Sequence, residues 1–213
     1  MSDVPHAPVE DFASKYTQAG PVGAFLIDRF FDGVFDLLGR VRPRSVLEVG
    51  CGEGFSTERL AAHLGPDVRF EASDVEPALV ERARARNPNV EIRTESAYAL
   101  DRSDDAFDVV VCLEVLEHLE RPERALREIC RVARRAVVLS VPREPIWRAL
   151  NVLRGKYVAA AGNTPGHVQH WSRRGFVRFV GRHADVVAVR SPLPWTQVLA
   201  HPKVAAHGRK PVA

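Results

Sequence analysis

The sequence predicts an α/β protein with a doubly wound, mostly parallel sheet of seven strands, helices on both faces and an antiparallel terminal strand. Three observations predict it. The run Val46-Leu47-Glu48-Val49 breaks into glycines at alternate positions, Gly50, Gly52 and Gly54, and then enters a helical pattern, which reads as strand, tight turn and helix in succession. Short apolar runs alternate along the chain with segments of helical period, as parallel strands joined by crossovers require. The run Asp108-Val109-Val110-Val111-Cys112 is apolar throughout after its aspartate, as expected of a strand covered on both faces.

Taken in order, residues 1–22 read as an irregular arm punctuated by Pro5, Pro8, Gly20 and Pro21. Over residues 23–38, Ile27, Phe30, Phe31, Val34, Leu37 and Leu38 recur at steps of three and four, a docking helix that Gly39 should end. Residues 45–49 form the first strand and 56–64 a helix with Leu60, Ala61 and Leu64 inward, stopped by Gly65-Pro66. A second strand over 68–73 delivers Asp74. Pro77 then opens a helix that Asn87-Pro88 closes. Residues 90–93, 108–112 and 136–141 read as further strands, with a helix over 122–133 between the last two. Beyond Pro142 the spacing predicts helices over 146–158 and 172–183, the second capped by Ser172, and an antiparallel strand pair over 185–189 and 195–199. The expected organisation is an arm and cap helix at 1–40, a core at 41–142, a lid at 143–171, a terminal helix and strands of the same domain at 172–201, and a tail at 202–213.

Composition narrows the function classes. A 46% apolar and 27% charged chain is ordinary for a soluble globular protein, and no apolar run approaches membrane-spanning length. The first twenty residues carry no signal-peptide pattern, so a cytoplasmic location is expected. The odd number of cysteines, Cys51, Cys112 and Cys130, fits reduced core residues and not a disulfide framework. A net charge of +3, carried by dispersed arginines, falls short of a nucleic-acid signature and reads first as solvated helix faces.

The glycine turn is the place for a cofactor, and its spacing selects which kind. A dinucleotide fingerprint spaces its glycines Gly-x-Gly-x-x-Gly, whereas here the third place of that pattern falls on Phe55. Glu48 before the turn and Glu53 within it are unwelcoming to a pyrophosphate but acceptable to a cationic ligand.

The turn Glu48-Val49-Gly50-Cys51-Gly52-Glu53-Gly54, Asp74 after the second strand, and Ala106-Phe107-Asp108 entering the fourth together resemble the class I S-adenosylmethionine-dependent methyltransferases, a Rossmann-like family. The likeness covers residues 46–141. It implies S-adenosyl-L-methionine as cofactor, with Glu48, Gly50, Gly52 and Gly54 around its methionine part and Asp74 accepting the ribose hydroxyls. At the adenine end the family often has an aspartate where this chain has Ser96, so Ser96 and the Ala97 backbone stand there instead.

The substrate side is expected at the carboxyl edge of the fourth strand, where Leu113-Glu114-Val115-Leu116-Glu117-His118-Leu119 follows. In a helical turn, Glu114, Glu117 and His118 would share one face, and two carboxylates with an imidazole can hold a divalent metal. The block Gly166-His167-Val168-Gln169-His170-Trp171 can bring a further imidazole to that edge. The pattern is similar to ubiquinone-pathway O-methyltransferases and small-RNA 2′-O-methyltransferases. That resemblance implies metal ligands at Glu114, Glu117, His118 and His167 for magnesium, manganese or zinc, and Glu114 also borders the cofactor. The alternative has no metal, with His118 or His167 as catalytic general base. His170 reads as a pocket-wall residue. The arm and the lid should close the site, with Tyr16, Trp147, Tyr157 and Trp171 as an aromatic wall and Lys15-Tyr16 over the cofactor carboxylate. The expected activity is methyl transfer to a hydroxyl oxygen of a small molecule such as a quinone, phenol, sugar or natural product. The competing readings are an RNA 2′-O-methyltransferase and a non-catalytic cofactor-binding partner protein. The sequence leaves the oligomeric state open.

Overall fold

A computed structural model describes residues 20–153, 160, 162–164 and 166–203. Its elements in order are α1 (Pro21–Val41), β1 (Ser45–Val49), α2 (Phe55–Leu64), β2 (Arg69–Asp74), α3 (Pro77–Arg86), β3 (Glu91–Thr94), β4 (Phe107–Leu113), a single 3-10 turn (Leu116–His118), α4 (Pro122–Val132), β5 (Ala133–Pro142), α5 (Ile146–Leu153), α6 (Arg173–Gly181), β6 (Ala184–Arg190) and β7 (Trp195–Pro202). The seven strands form one sheet in the order β3-β2-β1-β4-β5-β7-β6. β1 to β5 pair in parallel, whereas β7 lies antiparallel between β5 and β6. The predicted doubly wound sheet is therefore the observed one.

The chain runs outward from β1 in both directions, to β2 and β3 on one side and to β4 and β5 on the other, which opens a crevice at the carboxyl ends of β1 and β4. Side chains alternate across each strand, so each face of the sheet has its own core. Val46, Val109, Val111 and Val138 pack on α1 and on Leu60 of α2. Leu47, Val110, Val137 and Leu139 pack on Leu126 and Ile129 of α4 and on Phe176 and Val180 of α6.

Helix α1 overruns its predicted end. Gly39 stays helical, and the stop comes at Arg42 (φ 49), whose N–H bonds the Leu38 carbonyl, because Pro43 disfavours helical backbone in the residue before it. The helix sits close to β7, since a Cβ on Gly33 would fall 2.2 Å from Gln197 Oε1, and Gln197 Nε2 donates to the Phe30 carbonyl. β5 starts three residues before its predicted position, where Ala133 pairs with Phe107 ahead of a register shift in β4. The predicted helix over 146–158 is described as far as Leu153. Residues 154–158, the arm residues 1–19 with Lys15 and Tyr16, and Tyr157 lie outside the described residues. Among the described residues no helix is long and apolar enough to cross a membrane.

Asp108 fastens the edge of the sheet opposite the crevice. It is 2% exposed, accepts the Arg44 N–H at 2.8 Å and pairs with the Arg134 guanidinium, while its own N–H donates to Ser45 Oγ. Burial pushes its carboxyl up, but the Arg134 guanidinium and the Arg44 N–H outweigh that and hold it below the usual range. The aspartate that contributed to the family resemblance thus joins β1, β4 and β5. Replacing it, Asp108→Ala, is expected to lower unfolding stability by about 2–4 kcal/mol, because two charge-assisted contacts go and Arg44 N–H is left unpaired. Urea denaturation checks this, and a change below ~0.5 kcal/mol would show that the contacts do not carry the sheet edge.

Candidate functional site

The site begins where β1 runs out. The N–H groups of Gly50 and Cys51 both donate to the Ser73 carbonyl (2.7 and 3.0 Å), which folds the turn back onto β2. Two of the glycines are fixed by what they touch. Gly50 has φ 81, and a Cβ there would lie 2.3 Å from Val115 Cγ2; Gly54 has φ 82, and its Cβ would lie 2.9 Å from the Ala83 Cα of α3. Gly52 (φ 54) differs, because its Cβ would meet nothing within 4 Å. It faces open space.

That space is a cavity of about 370 Å³ bordered by Gly50, Gly52, Asp74, Ser96, Ala97 and Glu114 on one wall. Asp74 ends β2 and closes the turn. Its Oδ2 accepts the Gly52 N–H at 2.8 Å and its Oδ1 accepts the Glu76 N–H at 3.0 Å, ahead of α3. A carboxylate has about four lone-pair positions, so two remain for donors arriving from the cavity. Glu53 is paired on the outside with Arg82 at 2.7 Å.

Glu48 lies beneath the turn, 1% exposed, with Oε2 accepting the Thr57 hydroxyl at 2.7 Å. Burial pushes its carboxyl up to about 7; the hydroxyls of Ser56 and Thr57 offset this in part, and the Asp74 charge adds to it. Cys51 and Cys112 are buried free thiols, and burial first, then neighbouring carboxylates, pushes them up so that both stay protonated. Glu48 does not border the cavity; it supports the turn from below.

The facing wall is apolar and aromatic, made by Ile27, Phe30 and Phe31 of α1, Trp147 of α5, Trp195 of β7 and Leu119. Phe30 meets Trp195 edge-on at 4.9 Å between centroids, and Trp147 lies 5.9 Å from Trp195. Of the aromatic wall expected from the sequence, Trp147 is in place. Trp171 is not: it packs on Phe176 and Phe179 of α6, and its backbone bridges to Arg143. Trp195 and the α1 aromatics were not among the expected site residues. Their signal is topological, since an antiparallel strand begins where its parallel neighbours end.

The segment after β4 departs from the single helical turn expected of it. Glu114 has φ 58, a strained conformation for a side-chain-bearing residue, and its Oε1 accepts the Ser140 hydroxyl at 2.7 Å. The 3-10 turn starts two residues later. As a result Glu114 is set apart on the wall with Gly50, Gly52 and Asp74, while Glu117, His118 and His167 come together with their ligand atoms within 4.8 Å of one another. Three of the four expected metal ligands thus converge. Ligands around one ion at about 2.1 Å stand roughly 3.0–3.4 Å apart, so the trio has the right donors in a looser spacing than a closed shell. Val168 N–H and Gln169 N–H both bond the Glu117 carbonyl, which ties the late His167 segment to the 3-10 turn.

His118 borders the cavity, and Glu117 and His167 lie buried behind it. The rings of His118 and His167 meet edge-to-face at 4.8 Å. Nδ1 of His118 is 3.1 Å from the Gly166 carbonyl oxygen, which only accepts, so Nδ1 carries the proton and Nε2 is the basic nitrogen. His170 stands at the surface, 3.9 Å from Glu144.

Residues 46–136 match the family model described as a methyltransferase domain. The chain is 36% identical over 105 residues to a "Probable S-adenosylmethionine-dependent methyltransferase" of Mycobacterium tuberculosis, covering 49% of this chain and 37% of that protein. It is 29% identical over 133 residues to the ubiquinone biosynthesis O-methyltransferase of Aeromonas salmonicida, covering 60% of this chain and 56% of that one. These curated relatives are therefore spanned over little more than half their length at most. In fold, the chain is similar to a SAM dependent methyltransferase from Aquifex aeolicus, with a TM-score of 0.68 and 20% identity over 88% of this chain and 96% of that one.

Glu48 gives the site a pH signature. The folded protein holds a proton there that the unfolded chain loses in the ordinary carboxylate range, so its contribution is full at pH 4 and lost as pH rises through about 7. Glu48→Gln, neutral at every pH, is expected to melt roughly 5 °C above the parent at pH 8.5, with the gap closing toward pH 4.5. Calorimetry at the two pH values checks it; an equal gap at both would mean that Glu48 is ionised in the folded state.

Proposed function

We propose that this chain, whose residues 46–136 are a class I S-adenosylmethionine-dependent methyltransferase domain, transfers the cofactor's methyl group to a hydroxyl oxygen of a small apolar, aromatic molecule. The observation that carries the reading is one cavity bordered both by the Gly52–Asp74 turn and by His118. The acceptor half is walled by Phe30, Trp147 and Trp195, which suits a flat organic ring better than a charged polymer. Three buried free thiols agree with work in the reducing cytoplasm.

In this reading the glycine turn takes the methionine part of the cofactor, and the two remaining lone-pair positions of Asp74 take the ribose hydroxyls. Ser96 and Ala97 border the adenine. The sulfonium is already activated, so the protein's tasks are alignment and proton removal. The acceptor oxygen attacks the methyl carbon in line; the C–O bond forms as the C–S bond breaks, and the electron pair stays on sulfur. His118 Nε2 takes the hydroxyl proton as attack proceeds. Gly166 holds the imidazole in that tautomer through Nδ1–H, and His167 supports the ring edge-on. A divalent ion held by Glu117, His118 and His167 would supply Lewis acidity that lowers the pKa of an acceptor hydroxyl. With such an ion in place His118 would be one of its ligands and would not be the base for the acceptor hydroxyl.

Calorimetric titration with S-adenosylmethionine is expected to give one site per chain, with Asp74→Ala weakening it at least about 100-fold through the loss of charge-assisted acceptors. No binding by the parent protein would sink the reading. His118→Ala is expected to lower kcat/KM by about 10²–10⁴-fold. Assays on chelator-treated enzyme, with magnesium, manganese or zinc restored, decide between the two roles of His118: full activity without metal assigns the general base, and loss with recovery assigns the ligand.

A further inference from the structure

The wall between β3 and β4 is held from behind by buried charges, of which Glu95 also borders the cavity while Arg102 and Glu71 do not. Glu95 leaves β3 with its N–H on the Asp74 carbonyl (2.9 Å), and Ser96, Ala97 and Tyr98 follow along the cavity. Arg102, further along the same segment, turns inward. Its side chain is 5% exposed and places NH2 3.2 Å from Glu71 Oε2 and 3.4 Å from Glu95 Oε2, and those carboxylate side chains are 6% and 5% exposed. Arg69 shares Glu71 from the outside, so two positive and two negative groups sum to zero. Among the described residues, Arg102 is the cation within 4 Å of Glu95, whose two oxygens are buried without a hydrogen-bond donor. The far end of the segment is fastened separately, by Arg131 to the carbonyls of Leu100 and Arg102 and by Glu128 Oε1 to the Leu100 N–H.

We propose that Arg102 is a positioning residue for the adenine end of the cofactor: its buried pairing with Glu95 holds residues 95–98 against the cavity at the height of the Asp74 carboxylate. The proposal rests on the methyltransferase reading. A carboxylate out of water is costly unless it is paired. Without Arg102, Glu95 must take up a proton or swing out to reach solvent, and the second course carries Ser96 and Ala97 away from the site. The acceptor wall, built from α1, Trp147 and Trp195, shares none of these contacts. The effect should therefore fall on cofactor affinity and not on the transfer step.

The test measures KM for S-adenosylmethionine, kcat at saturating cofactor and binding by titration for the parent, Arg102→Met, Arg102→Lys, Glu95→Gln and the double variant Arg102→Met with Glu95→Gln. Arg102→Met is expected to raise KM for the cofactor about tenfold with kcat within about twofold, and Arg102→Lys to recover most of it. Glu95→Gln should raise KM about threefold, and the double variant should be no worse than Arg102→Met alone, because the pair acts as one unit. A merely structural role would lower the melting temperature without this split. Unchanged KM in Arg102→Met, a fall in kcat alone, or additive effects in the double variant would each overturn the proposal. If Arg102→Met does not fold, Glu95→Gln with the parent's KM overturns it equally. A parent that binds no S-adenosylmethionine removes the methyltransferase reading and this proposal with it; a parent that binds normally beside unaffected variants removes only this one.

Discussion

The carboxylate of Asp74, accepting the N–H of Gly52 on one oxygen and that of Glu76 on the other, is the contact on which the site depends. It fixes a glycine turn after β1 to the start of α3 after β2, and so converts two parallel strand ends into one concave surface. Backbone N–H groups at such ends have no partner within their own strand or helix, and a carboxylate satisfies them while keeping acceptor positions for a ligand. Val115 and Ala83 leave no room for a Cβ at Gly50 and Gly54, so the turn admits only glycine at both. Gly50 and Gly52 both border the cavity, and of the three glycines of the turn Gly52 is the one where a Cβ would meet nothing within 4 Å.

Charge is distributed around this contact so that little of it stands unpaired. Glu53 is paired outside by Arg82 and Glu95 inside by Arg102, while burial pushes the Glu48 carboxyl beneath the turn up to about 7. Glu53, Glu76, Glu95 and Glu114 border the cavity as well; Glu53, Glu95 and Glu114 are engaged by Arg82, Arg102 and Ser140, and Asp74 keeps acceptor positions beside its two backbone donors. A cationic sulfonium needs a nearby negative field but not a dense cluster of it, since like charges crowded together would take up protons and cancel the effect. The same logic fits the buried Arg102 between Glu71 and Glu95.

The opposite wall is an assembly of distant pieces. α1 lies at the start of the described chain, Trp147 follows β5, and Trp195 opens the last strand, yet their rings meet within 6 Å of one another in successive pairs. They converge because β7 runs antiparallel beside β5, which brings its first residue to the carboxyl edge of the sheet, and because α1 packs closely on β7 at Gly33. The His118–His167 contact has the same origin. A backbone tie from Val168 and Gln169 to the Glu117 carbonyl spans about fifty residues of sequence and brings two imidazoles edge to face.

The sequence by itself determined the sheet, the order of its elements, the glycine turn with Asp74, and the rise of a Glu-x-x-Glu-His segment at the end of β4. These follow from local rules: period, proline and glycine punctuation, and short fixed spacings that one strand and one turn can satisfy. What the tertiary structure decided was which of those side chains meet. Glu114 parted from Glu117 and His118 because a left-handed backbone at φ 58 and the Ser140 hydroxyl, twenty-six residues away, outweighed the helical turn that spacing suggested. Trp171 went to the core and Trp195 to the cavity for a similar reason. A side chain's direction at a sheet edge depends on which strand lies beside it and in which sense that strand runs, and no local pattern encodes that pairing.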